Sequence, residues 1–136
     1  MVIHCTVVEK ERVEASHPMR AWVGAGLNPS ASTDCPVTEI DPMPVIYNMV
    51  TRKTSEGTEL GADQVLSMEE ALHAYTQASA YAARQERIKG TLQPGQLGDV
   101  AVWSRDLFAI APDDILNTQC DLTVLGGRVV HRRAGA

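Results

Sequence analysis

Residues 28–37 read "NPSASTDCPV", and the fold turns on how this stretch is understood. It is a small, semi-extended run that ends on Asp34 and is followed at once by Cys35 and Pro36. An aspartate in such a place is ordinarily a turn former or a helix cap, because its short carboxylate bonds readily to nearby backbone. The sharper reading is a carboxylate at the C-terminal end of a barrel strand, where barrel enzymes place their catalytic groups. No histidine stands within reach of Asp34 along the sequence, so any partner must come from elsewhere.

On the N-terminal side, "SHPMRAWVGAG" (16–26) predicts a short helix with Ser16 as N-cap, Pro18 in the first turn and Gly24 or Gly26 at its end. The leading "VIHCTVV" (2–8) is β-branched and strand-like, with charged residues directly after it. On the C-terminal side, "DPMPVIYNMVTRKT" opens a helix. Asp41 can accept from an early helical N–H, and Pro42 lacks the donor that would go unsatisfied there. Met43, Ile46, Met49 and Val50 then form one apolar stripe.

Residues 54–66 read as a polar loop, and "SMEEALHAYTQASAYAARQ" as the strongest helix of the chain. Ser67 and Glu70 have capping-box spacing, and Met68, Ala71, Leu72, Tyr75, Ala78, Ser79 and Ala82 share a face. After Gly90 the texture becomes β-like. A turn leads into a strand at 100–103, "APDDILN" reads as one helical turn, and "DLTVLGGRVVHR" as a hairpin closed by Gly126-Gly127.

With 136 residues the chain is the size of one domain, able to bury roughly two-thirds of its unfolded surface. The formal charge of −5 and the scarcity of clustered Lys and Arg argue against nucleic acid or an anionic membrane as partner. The basic pairs Arg52-Lys53 and Arg132-Arg133 are expected on solvated faces. Cys5, Cys35 and Cys120 form no CxxC pair and no even-numbered framework, which fits a reduced, cytoplasmic compartment. No stretch approaches the ~18 apolar residues of a membrane span, and the N-terminus lacks the basic region of a signal peptide.

Outside Asp34 the candidate chemistry is sparse. His4, His17, His73 and His131 form neither HxH nor HExxH. His73 is expected on the helix surface, and Cys35, facing away from Asp34 in an extended chain, as a packed thiol. "VGAG" (23–26) lacks the strand–turn–helix frame of a dinucleotide site, and no GxSxG is present. Convergence of His4, His17 and Asp34 on a metal is a further option.

Four segments, taken in order, resemble the C-terminal third of the amidohydrolase superfamily, and within it the N-substituted formamide deformylase-like branch. "STDCPV" (32–37) resembles the Ser-Asp-x-Pro-Val element that ends the eighth barrel strand, and "DPMPVIYNMVTRKT" the helix that follows. "MEEALHAYTQASAYAA" resembles the helix packed behind the barrel, and "GTLQPGQLGDVAVW" with "TVLGGRVVH" the strand and hairpin of the accompanying β-sandwich. Thr33, Gln96 and Gly98 depart from the family pattern at positions that shape turns.

The resemblance implies an α/β chain: the last strand and helices of a TIM-type (β/α)8 barrel, then part of a small β-sandwich, an incomplete domain. Residues 1–17 would be an unassigned leader strand, 18–89 the barrel segment and 90–136 the small β unit. It implies hydrolysis of amide-like, non-peptide C–N bonds by a divalent metal, zinc being expected, with Asp34 as both metal ligand and catalytic proton carrier. A catalytic zinc site takes about three protein ligands and a barrel ~250 residues. One carboxylate and one strand therefore lead to the expectation that this chain alone is inactive and binds no metal stably. Its expected partner is the missing N-terminal barrel portion or a second copy. The competing reading is a non-catalytic α+β module for interaction or self-association.

Overall fold

Helix α3 (Met43–Thr51) organises the packing. The computed structural model describes residues 9–135, and in it the Met43 N–H donates to Asp41 Oδ1 at 2.9 Å, with Pro42 at the N-cap. The Asp-Pro start is therefore as the sequence implies. Met43, Ile46 and Met49 are buried, joined by Tyr47, while Val50 is half-buried against them. Arg52 ends the helix in a left-handed conformation, φ +55°.

The face of α3 is covered by α4 (Met68–Tyr75) and by a 3₁₀ segment, Pro112–Asn117, whose Ile115 is fully buried. The capping box of α4 is formed: Glu70 N–H donates to Ser67 Oγ, and Ser67 N–H to Glu70 Oε2. The single long helix expected here is instead two, α4 and α5 (Gln77–Ala82), parted at Thr76 with φ −114° and ψ −81°. Hydroxyls compete with the helical ladder at the break: Thr76 Oγ1 donates to the Leu72 carbonyl and Ser79 Oγ to that of Ala74. The break rotates the apolar face. Ala71, Ala74, Ala78 and Ala80 are buried, whereas Ala82, expected on that face, is exposed.

Two short helices precede this layer. α1 (Lys10–Glu14), which the sequence pattern does not announce, buries Val13. α2 (Met19–Gly24) has Pro18, not Ser16, at its N-cap; the Ser16 hydroxyl donates backward to the Val13 carbonyl at 2.6 Å. The strand expected at 2–8 lies outside the described residues. The polar loop 54–66 is more tightly held than its composition suggests, since Leu60 and Leu66 are buried and Ala62–Gln64 forms a 3₁₀ turn.

The C-terminal unit is one antiparallel sheet in the order β1 (Val100–Trp103), β2 (Cys120–Leu125), β3 (Arg128–Arg132). Gly126 and Gly127, at φ +55° and +78°, close the hairpin. Cross-strand register aligns Val100, Val124 and Val129, and beside them Val102 and Leu122, giving one aliphatic face. Val102 and Val129 remain largely exposed on it. Among the described residues no second sheet covers this face. No helix among them is long and apolar enough to cross a membrane.

Candidate functional site

The run 28–33 forms neither helix nor turn, and no sheet pairing among the described residues. The barrel strand expected here is therefore not formed within this chain. A strand needs neighbours for its N–H and C=O groups. The three-stranded sheet lies elsewhere, and the sole backbone partner offered to these N–H groups is Ala74, whose carbonyl accepts from Ala31 at 3.1 Å.

Asp34 sits at the end of this run in a left-handed conformation, φ +57°, with its N–H donating to Ser32 Oγ at 3.1 Å. Its carbonyl accepts from the Val37 N–H at 2.8 Å, closing a turn that contains the cis Cys35–Pro36 bond. The Thr38 hydroxyl closes back onto the Thr33 carbonyl. These bonds use the backbone of Asp34 and leave its side chain exposed at the rim of a cavity of about 500 Å³. Across that cavity stand His17, Trp22, Val45, Met49 and Lys53.

The far wall is built by Arg52, which the sequence places on a solvated face and the structure does not. Its Nε donates to the Leu60 carbonyl at 2.8 Å, Nη2 to those of Ser16 at 3.0 Å and Glu14 at 3.4 Å, and Nη1 to that of His17 at 3.4 Å. Partial burial lowers the Arg52 pKa, against the opposing pull of Asp63. This fan of donors ties the end of α3 to the α1–α2 connection and fixes the peptide of His17, itself left-handed at φ +51°. Only a planar, five-donor head reaches so many carbonyls at once.

The remaining candidates disperse. His73 is exposed, as its helix position implies, with Nε2 2.8 Å from Asn28 Oδ1. His131 is exposed in β3, and His4 lies outside the described residues. Cys35 is exposed and not the packed thiol expected, because it rides a turn. His17 and Asp34 share the cavity, yet among the described residues no group of three His, Cys, Asp or Glu side chains could hold a metal ion. The described residues therefore do not fit a catalytic metal by themselves.

Comparison with known proteins bears directly on this site. The amidohydrolase family model matches residues 3–131, a span that includes every element above. The chain belongs to the amidohydrolase family. It is 27% identical over 128 residues to the amidohydrolase-type protein YtcJ of Bacillus subtilis (strain 168), covering 92% of this chain and 24% of that protein. It is also 27% identical over 119 residues to the N-substituted formamide deformylase of Arthrobacter pascens, covering 88% and 22%. In fold it resembles an amidohydrolase of Thermotoga maritima MSB8, with a TM-score of 0.64 at 19% identity over 85% of this chain and 26% of that one. The chain thus spans about a quarter of the length of the relatives it matches.

Proposed function

We propose that this chain is the Asp34-bearing part of a metal-dependent amidohydrolase that cleaves amide-like, non-peptide C–N bonds, and that it is inactive by itself. The observation that carries the reading is the placement of Asp34, held by its backbone at a cavity rim inside the family-matched span. A carboxylate so placed can accept the proton of an attacking water and return it to the leaving nitrogen. The divalent metal of this reading, zinc in the first instance, takes its other ligands from outside this segment. Widely spaced, unpaired cysteines support a reducing, cytoplasmic setting.

One observation favours the alternative, a non-catalytic module: the open aliphatic face of the sheet is of the kind that self-associates. The two readings part on a chimera in which this chain replaces the matched 22% of the Arthrobacter deformylase. Hydrolysis of an N-substituted formamide, with kcat reduced roughly 10²- to 10⁴-fold by Asp34→Asn and little changed by Asp41→Asn in the same cavity, supports the enzyme. Equal turnover in the Asp34→Asn and parent chimeras removes Asp34 from the chemistry.

A further inference from the structure

Burial alternates along residues 28–34. Asn28, Ser30, Ser32 and Asp34 are exposed, while Pro29, Ala31 and Thr33 are half-buried. Period two is the signature of a strand with one covered face, here in a segment that pairs with no strand. The half-buried set lies towards α4, where Ala31 bonds to Ala74. On the other set, the N–H groups of Asn28, Ser30 and Ser32 find no partner among the described residues, and Ser30 and Ser32 open on the 500 Å³ cavity.

Large apolar side chains flank the run in the open: Leu27 at 60% exposure before it, and Val37 at 77% and Ile40 at 79% after it. Exposed apolar groups around an unpaired backbone edge form the arrangement that strand addition uses, main-chain bonds supplying affinity and side pockets supplying selectivity.

We infer that residues 28–33 are a docking edge for an added β-strand, supplied by the part of an amidohydrolase that the relatives carry beyond the quarter matched here, whether joined to this chain or separate. The inference rests on the reading of this chain as part of such an enzyme. Two features favour that occupant over a second copy of the chain. The relatives hold about three-quarters of their length outside the match, ample for further strands. The left-handed backbone of Asp34 also stops pairing just where a carboxylate has to stay free, so the strand covers the 28–33 side of the cavity and leaves the Asp34 end open. The added strand donates to and accepts from the backbone of 28–33, and its inward side chains, apolar and alternate, enter the space beside Trp22, Val45 and Met49.

Amide hydrogen exchange tests this in the isolated chain and in the Arthrobacter chimera. The amides of Asn28, Ser30 and Ser32 should exchange freely in the isolated chain and roughly 100-fold more slowly in the chimera. Ser30→Pro, which removes a donor without a partner in the isolated chain, should abolish the protection in the chimera and leave the isolated chain's melting temperature unchanged. Protection already present in the isolated chain at low concentration overturns the inference, as does a chimera with protected α3 and α4 but free 28–32 amides. A chimera that fails to fold while the isolated chain folds overturns it too. Protection at high concentration of the isolated chain, together with a doubled mass, assigns the edge to a second copy and overturns the stated occupant. Protection in a chimera that lacks hydrolytic activity leaves the docking intact and removes the catalytic reading instead.

Discussion

Arg20 and Glu70 are joined end-on across the two helical layers. Arg20 Nη1 lies 2.6 Å from Glu70 Oε1 and Nη2 lies 2.5 Å from Oε2, while Arg20 Nε donates to the Val65 carbonyl at 3.1 Å. Glu70 is also the capping-box residue of α4, so one carboxylate both starts that helix and ties it to α2. A bidentate guanidinium–carboxylate pair fixes orientation as well as contact.

A pH dependence follows from this pair. Arg20 first, and the Ser67 backbone N–H second, lower the Glu70 pKa from 4.5 to about 2. A depressed carboxylate pKa means that the folded state holds the charge more firmly than the unfolded one, so the contribution is complete above about 4.5 and fades as pH falls towards 2. In urea denaturation, the gap between the parent and Glu70→Gln should be widest near neutrality and narrow through that window. Ser67→Ala should cost about 1 kcal/mol at neutral pH. A gap between parent and Glu70→Gln that stays constant from pH 7 to about 2 removes the ion pair from the account.

Arg52 gives a second test. Its four carbonyl partners are arranged for a planar head, and an ammonium of the same charge reaches few of them. Arg52→Lys should therefore destabilise the chain by about 2 kcal/mol, measured by urea midpoint. A change below roughly 0.5 kcal/mol makes the contacts incidental.

Gly61 lies against the same wall. At φ +67° a side chain there is strained, and its Cβ would stand 2.4 Å from the Glu14 carbonyl oxygen, which also accepts from Arg52. Gly61→Ala should cost about 2 kcal/mol or more. Combined with Arg52→Lys, it should prove less than additive, because both act on one carbonyl. Full additivity in thermal denaturation argues against a shared strut.

What the sequence discloses depends on how local the physics is. The Asp41–Pro42 helix start, the Ser67–Glu70 capping box and the Gly126-Gly127 turn are each closed by residues within a few positions, and each forms as read. The division of the long helix at Thr76 comes from side-chain hydroxyls competing with the ladder, which apolar spacing does not register. Arg52 looks like a surface charge in sequence because its acceptors lie as far away as Glu14 and Leu60. The stretch 28–37 is the deepest case. Asp34 is legible as a residue of interest, and the cavity beside it is consistent with that, but a strand is a relation between segments and its partners are not among the described residues.

The most direct measurement is zinc content after dialysis, for the isolated chain and the Arthrobacter chimera, each with and without Asp34→Ala. The account expects no stoichiometric zinc on the isolated chain in either form, and zinc on the chimera held more weakly once Asp34 is gone, since a catalytic site takes about three protein ligands and this chain offers one. Stoichiometric zinc on the isolated chain, lost on Asp34→Ala, contradicts it.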